Sequence, residues 1–166
     1  AATVVRALPD AAAERPLASE GWPLPEGAVR ARVLYVIDGD TVGASLGGTA
    51  VRLRYAGIDA PELGGDPEPG ALEAKAANER LVLGQEVWLL FAEEPEDPYG
   101  RRLAYVFTAS GVFVNAYLVE QGLASALPIP PNLRFADLFW VLEREARAAG
   151  RGIWAGAGAV APAFPL

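Results

Sequence analysis

From Arg30 to Glu62 the chain is a series of short apolar runs, each closed by a tight turn or an acid. Val33-Leu34-Tyr35-Val36-Ile37 leads into Asp38-Gly39-Asp40-Thr41-Val42, and the run from Leu53 to Ile58 leads into Asp59-Ala60-Pro61-Glu62. Runs this short, rich in β-branched and aromatic residues, suit strands. Asp38-Gly39 and Gly47-Gly48 are hairpin signals. Carboxylates at strand ends stand on a sheet rim, where a hard cation can be held by oxygen ligands. Taken singly, each stretch is equally an ordinary acidic turn.

The remaining chain adds strands and helices in order. Arg30–Ile37, Thr41–Leu46 and Thr49–Ile58 read as three strands. In the third, Val51, Leu53 and Tyr55 alternate with Arg52 and Arg54, which puts Arg54 on the opposite face. Gly64 to Gly70 is a loop rich in Gly and Pro. Ala71–Leu83 reads as a helix with Ala74, Ala77 and Leu81 on one face and Gly84 as its stop. Glu86–Phe91 and Arg102–Thr108 are a fourth and fifth strand, separated by an acidic, proline-broken loop from Glu93 to Tyr99. Asn115 is placed to cap a short helix ending at Gln121. Leu127 to Pro131 carries three prolines and is neither helix nor central strand. Leu133–Ala149 is the longest helix expected; Phe135, Leu138, Leu142 and Ala146 share a face, Glu143 and Arg147 form an i,i+4 pair, and Gly150 ends it.

Five strands with a helix after the third and further helices behind them predict an α+β, mainly β fold, a five-stranded OB-fold barrel with about three helices. The expected organisation is an N-terminal extension over 1–29, the barrel domain over 30–155 and a tail over 156–166. The extension reads as a partly ordered arm with a short helical stretch from Pro9 to Arg15; the alternative is that the extended Trp22-Pro23-Leu24-Pro25 packs its indole on the core.

Composition narrows the chemistry. The chain has neither Cys nor His. Disulfides, thiol nucleophiles, Cys/His zinc sites and histidine acid–base catalysis are excluded. Catalysis is left to carboxylates, arginines, hydroxyls or an oxygen-bound metal. Among the basic residues Lys75 is the sole lysine, amides are few, and prolines number 14, a bias that fits a thermostable protein and a GC-rich genome equally well. No apolar run is long enough for a membrane span, and no intact signal peptide is visible. Net charge is −7, which argues against broad nonspecific binding of polyanions.

The acids and arginines suit one kind of site. Asp40 and Asp59 are candidate oxygen ligands for a cation such as Ca²⁺. Glu62 is a candidate general base toward a water near that metal. Arg54 and Arg101, the latter in Tyr99-Gly100-Arg101, are candidate planar forks for phosphate oxygens. A metal and two guanidiniums match the negative charge that gathers in phosphoryl chemistry. The bland alternatives are a strand arginine reaching solvent at Arg54, a hairpin charge pair at Arg101-Arg102, and core packing for Tyr105 and Trp154.

Asp38-Gly39-Asp40-Thr41-Val42, Arg54 to Glu62, Tyr99-Gly100-Arg101 with Leu103-Ala104-Tyr105, Val114-Asn115 with Leu118-Val119 and Gln121-Gly122-Leu123-Ala124, and Gly152-Ile153-Trp154 occur in that order. Together they resemble the thermonuclease (staphylococcal nuclease) family, from about Arg30 to Trp154. The resemblance implies a calcium-dependent phosphodiesterase on an OB-fold, cutting DNA and RNA to leave 3′-phosphates. It implies Ca²⁺ held by Asp40, Asp59 and the backbone carbonyl of Ala60, with Asp38 in the outer shell. It further implies Glu62 activating water, Arg54 and Arg101 holding the phosphate, and Tyr99 beside a terminal phosphate. No membrane partner is expected, a monomer is, and a weak Ca²⁺ site suits a secreted or periplasmic enzyme.

Departures from the family pattern fall on the substrate side. A basic position before the tyrosine is Pro98, the loop after Glu62 is shorter and has no lysine, and two tyrosines expected near the base align with Pro128 and Pro130. Two other readings stand beside the nuclease: a noncatalytic OB-fold module that binds nucleic acid or protein, and a phosphodiesterase for small nucleotides. Asp38-x-Asp40-Thr41 is also similar to the aspartyl-phosphate phosphatase motif, but the Gly after the second Asp is missing and Lys75 lies in an Ala-rich helix.

Overall fold

The computed structural model describes residues 18–156. The stretch from Pro9 to Arg15 and most of the tail lie outside the described residues. Seven strands and three α-helices follow one another as β1 (Val29–Asp38), β2 (Thr41–Leu46), β3 (Thr49–Tyr55), β4 (Ile58–Asp59), α1 (Ala71–Val82), β5 (Glu86–Glu96), β6 (Arg102–Thr108), α2 (Val114–Glu120), β7 (Ser125–Ala126) and α3 (Ala136–Ala149), with a 3₁₀ turn at Gly152–Trp154. Five strands close into a barrel in the order β1-β2-β3-β6-β5, with β5 returning to β1. All its pairings are antiparallel except β3 with β6, where Leu53 lies opposite Arg102 and Tyr55 opposite Ala104. This is the closed mixed barrel with three helices expected of an OB-fold. Among the described residues no helix is long and apolar enough to cross a membrane.

Alternation along the strands builds the core. Ala31, Val33, Val42, Ala44, Leu53, Tyr55, Val87 and Leu89 are all buried. β6 is buried on both faces, because helices cover its outer side. There Tyr105 and Phe107 meet Phe113, Phe135 and Phe139, mostly edge to face, with Phe107 stacked on Phe113. The Trp22 indole completes this cluster, 5.0 Å from Phe113 and 6.0 Å from Phe135 between ring centres. Its Nε1 donates to the Ala18 carbonyl, and Ser19 donates from both N and Oγ to Glu120. Residues 18–24 are thus strapped to the barrel, where the sequence predicts a partly ordered arm.

The elements differ from the sequence expectation at five places. The third strand ends at Tyr55 rather than Ile58: the chain turns at Ala56-Gly57, where Gly57 takes φ +79° beneath the Phe139 ring. Ile58 and Asp59 then pair with Ala126 and Ser125 in a separate two-stranded sheet. β5 continues to Glu96 through the stretch expected as a loop; Pro95 sits where the register with β6 is irregular, so no ladder bond is asked of it. α1 ends at Val82, and its inward face is Ala71, Ala74, Ala77, Asn78 and Val82, while Leu81 is half-buried.

The two remaining differences concern helix starts. α3 begins at Ala136, with Phe135 buried just ahead of it. Asn115 does not cap α2, whose N-cap is Phe113. Asn115 is fully buried instead: its Oδ1 accepts from Val106 N at 2.9 Å, and its Nδ2 donates to the carbonyls of Ala56 and Ala104. It ties the backbone at the end of β3 to β6 beside the parallel junction. The expected Glu143–Arg147 pair forms at 3.4 Å, and Gly150 closes α3 in the left-handed conformation.

Candidate active site

The β1–β2 turn carries the first two acids. Gly39 stands between them because a Cβ there would lie within 2.8 Å of the Cβ atoms of Ala74 and Ala60. That close approach seats the turn against α1. Asn78 of α1 donates to the Asp38 carbonyl at 2.9 Å and accepts from the Tyr55 hydroxyl at 2.7 Å. Asp38 in turn accepts from the Asp40 amide at 3.0 Å. Asp40 is buried; its Oδ1 accepts from Thr41 Oγ1 at 2.9 Å and its Oδ2 from the Ala60 amide at 2.7 Å. Its orientation is therefore fixed by two donors before any ligand arrives.

Arg54 reaches across from β3. Its Nη1 donates to the carbonyls of Tyr55 and Ile58, both at 2.8 Å, which anchors the guanidinium under the Ala56-Gly57 turn. Its Nη2 lies 3.4 Å from Asp40 Oδ2 and 3.3 Å from Asp59 Oδ1. One nitrogen thus draws the two carboxylates toward one point. Asp59 is held there by the pairing of its strand with Ser125. Glu62, three residues on, is exposed, and Pro61 before it is buried.

The electrostatics of this rim are those of crowded acids. Burial raises the Asp38 carboxyl to about 6, with Asp40 and then Glu62 adding to the effect. Asp59 is also raised, first by partial desolvation and then by Asp40 and Glu68, with Arg54 opposing. The raised values report burial first and like charge second. Among the described residues no three acidic side chains converge tightly enough to hold a metal by themselves. Two converging carboxylates with the adjacent Ala60 backbone carbonyl and solvent fit a hard, oxygen-loving cation such as Ca²⁺, and offer nothing to a soft one.

Arg101 comes from the far side, at the β5–β6 turn. Asp97 organises it: Oδ1 accepts from the amides of Tyr99 and Arg101, each at 2.9 Å, and Oδ2 accepts from Arg101 Nε at 2.6 Å. Burial alone would raise Asp97; these bonds outweigh it and hold the carboxyl below its ordinary value. The Arg101 guanidinium lies 5.5 Å above the ring of Tyr99, which is otherwise exposed. Asp97 was not singled out from the sequence as part of the site. Its spacing, Asp97-x-Tyr99-Gly100-Arg101, is the signal: an Asx turn that returns the carboxylate to a cation four residues on.

Arg54 and Arg101 line the same cleft, of about 340 Å³. Tyr99, Leu127, Ile129 and Pro130 give it an apolar side, and Glu94, Glu96 and Asp97 an acidic one. Pro130, where the family pattern has an aromatic, therefore does face the cleft. Asn132 is spent on structure, bonding both the amide and the carbonyl of Glu94. Asp38, Asp40, Asp59, Ala60 and Glu62 lie outside this cleft, and Arg54 is the residue that touches both the cleft and the acids.

Known proteins match this frame. The family described as "Staphylococcal nuclease homologue" matches residues 52–156. A thermonuclease of Staphylococcus intermedius is 37% identical over 122 residues, 72% of each chain. An uncharacterized endonuclease of Escherichia coli O157:H7 is 33% identical over 141 residues, covering 85% of this chain and 87% of the relative. The endonuclease YncB of Bacillus subtilis is 34% identical over 129 residues, 75% of this chain and 61% of its own. The matched span runs from β3, which carries Arg54, past Asp59, Glu62 and Arg101 to the 3₁₀ turn, and the chain belongs to the staphylococcal nuclease family.

Proposed function

We propose that this chain is a Ca²⁺-dependent nuclease that hydrolyses phosphodiester bonds of DNA and RNA and leaves 3′-phosphates. The observation that carries the reading is the placement of Arg54, which binds Asp40 and Asp59 on one side and lines the cleft with Arg101 on the other. Asp40, Asp59 and the Ala60 carbonyl would hold the cation, with Asp38 behind them. Bound there, Ca²⁺ offsets charge on a phosphate oxygen and makes a neighbouring water more acidic.

The chain's own residues supply the rest. Arg54 Nη2 and the free edge of the Arg101 guanidinium hold the scissile phosphate from two sides. Tyr99 borders the phosphate end of the cleft. Glu62 takes a proton as water oxygen bonds to phosphorus; the P–O5′ bond breaks, and the leaving oxygen gains a proton. The products are a 3′-phosphate and a 5′-hydroxyl. Both guanidiniums are fixed beforehand, Arg54 by two carbonyls and Arg101 by Asp97, so little reorganisation is left for the transition state.

A second reading has an observation of its own. Glu94 and Glu96 on the cleft wall disfavour a long polyanion, which favours a phosphodiesterase of short oligonucleotides or small nucleotides. A noncatalytic binding module is disfavoured, because it has no need to keep Asp40, Asp59, Glu62, Arg54 and Arg101 together. The proposed enzyme is a monomer that works outside the cytoplasm, secreted or periplasmic, where Ca²⁺ is plentiful. Plasmid DNA, single-stranded DNA, RNA and a dinucleotide, each incubated with Ca²⁺ or with chelator and followed by end-group analysis, test the readings. Cleavage of the polymers to 3′-phosphates supports the nuclease; cleavage of the dinucleotide alone supports the second reading; no cleavage under any condition rejects both.

A further inference from the structure

The segment from Glu62 to Pro69 has almost no packing of its own. Every residue in it is exposed except Leu63, which is half-buried, and Gly64 and Gly65 stand in open space. One backbone bond closes it, from Glu68 N to the Glu62 carbonyl at 2.9 Å, and a second ties Ala71 N to the Glu68 carbonyl. A loop this bare takes its shape from its two ends.

The far end of the loop meets one side chain. Gly70, at the N-terminus of α1, has φ +88°, and a Cβ on it would lie 2.6 Å from Ile153 Cγ2 and 3.7 Å from Pro61 Cγ. The γ2 methyl of Ile153 is therefore packed on Gly70, the end of the loop, and Gly70 also comes close to Pro61 at the loop's start. Ile153 itself stands on a rigid base. Its amide donates to the Gly122 carbonyl at 2.8 Å. Gly122 and Gly152 approach so closely that a Cβ on either would overlap backbone of the other's segment. Arg151 donates to the Glu120 carbonyl, and the Arg147 guanidinium lies 3.9 Å over the Trp154 ring.

We infer that Ile153 is a positioning residue for Glu62: its γ2 methyl pins the Gly70 end of the loop that carries the carboxylate, where that end closes on Pro61. The inference rests on Glu62 acting as the base in the proposed reaction. Ile153 touches neither substrate nor metal. It narrows the range of positions from which Glu62 can meet a water, and misplacement by about 1 Å is enough to slow such a step by a large factor.

Three variants of the full chain separate this role from plain packing. Ile153→Val keeps the γ2 methyl; Ile153→Leu keeps the volume but not the β-branch; Ile153→Ala keeps neither. Assays run well below each variant's melting temperature. Ile153→Val is expected to retain kcat, while Ile153→Ala and Ile153→Leu lose about ten-fold in kcat with KM within two-fold of the parent. In a Glu62→Gln background Ile153→Ala is expected to add no further loss. Independently of activity, hydrogen exchange at the Glu68 and Ala71 amides is expected to quicken in the Ala and Leu variants and not in the Val variant. Unchanged exchange in Ile153→Ala overturns the inference whatever the activity. So does a kcat loss that multiplies with Glu62→Gln, or a change confined to KM. A Glu62→Gln variant that cuts normally rejects the role of Glu62, and with it this inference, while leaving the exchange data to report on the loop.

Discussion

Asp97 holds Arg101 by its Nε, at 2.6 Å, and holds the amides of Tyr99 and Arg101 with its other oxygen. This grip uses Nε and neither terminal nitrogen of Arg101, a residue that lines the cleft. Asp97→Ala is expected to lower kcat by about ten-fold while leaving Arg101 chemically intact, and to destabilise the fold by about 1.5–3 kcal/mol, the scale of hydrogen bonds to a charged group. Steady-state kinetics and denaturant melts of the two proteins check both numbers.

The same carboxylate sets a pH dependence. Its value in the folded chain is depressed. Its stabilisation is therefore complete above the unfolded value, roughly pH 4, and is lost as pH falls through the folded value below that. The stability gap between the parent and Asp97→Asn should be constant at neutral pH and shrink only below about pH 4. Melts from pH 7 to pH 2.5 read this; a gap that instead closes between pH 5 and 7 contradicts the assignment.

Removing the cation should stop the reaction and soften the fold. Asp40 and Asp59 converge on one nitrogen, and Asp38 and Glu62 add like charge nearby. Excess chelator is expected to abolish cleavage, and Ca²⁺ to raise the melting temperature by linkage. Asp40→Asn should lose both responses together. Undiminished cleavage in chelator would sink the cofactor assignment.

Arg54 and Arg101 should not behave alike. Both line the cleft, but Arg54 also spends Nη1 on the carbonyls of Tyr55 and Ile58. Glu62→Gln is expected to cost about 10² or more in kcat with little change in stability, and Arg101→Ala to cost as much in kcat while also losing its bond to Asp97. Arg54→Ala should cost activity on that scale and destabilise by roughly 2–4 kcal/mol as well, since it removes bonds to two carbonyls and two ion pairs. Arg54→Lys should not restore either, because an ammonium cannot span those partners.

Substrate grip is the weak side of the cleft. Glu94 and Glu96 line it, and the whole chain carries −7. Each neutralised phosphate adds roughly 0.7–0.9 to the slope of log K against log salt. With Arg54 and Arg101 as the main contacts, the slope for long DNA should be shallow, about −2 to −3. Glu94→Lys with Glu96→Lys should tighten binding and steepen it. Titrations with the Glu62→Gln variant at fixed Ca²⁺ measure this; a parent slope near −6 would mean that Arg80, Arg134, Arg144 and Arg151 form a track that net charge conceals.

What the sequence made legible was periodic or punctual. Two-residue alternation placed Arg54 opposite Leu53 and Tyr55, and the structure has Arg54 partly buried at the acids and the other two in the core. Asp-Gly and Gly-Gly marked two hairpins at their observed positions. The misses come from long-range partners that no local pattern carries. Asn115 before a helix looks like a cap, but its amide answers Ala56, Val106 and Ala104 from distant strands. Apolar residues through Ile58 look like continuous strand, and only the Phe139 ring, arriving from α3, makes Gly57 a turn. Glu94 and Glu96 read as loop because Pro95 lies between them; irregular pairing with β6 lets the strand pass through it.

The one parallel pairing in the barrel joins Leu53–Tyr55 to Arg102–Ala104. β1, β2 and β3 can pair as hairpins of neighbours in the chain, and β5 can return to β1, but the seam that brings Arg54 beside Leu103 needs β6. Until β6 has been made and has swung into place, β3 offers an open edge with its ladder groups unpaired. A polypeptide emerging from the ribosome is in that state for the whole time it takes to synthesise α1 and β5. The acids of the first hairpin and Arg54 meet early, whereas Arg101 arrives only with the last strand. The step that completes the phosphate clamp is thus the same step that seals the exposed edge, and a fragment ending before Arg102 should aggregate rather than show partial activity.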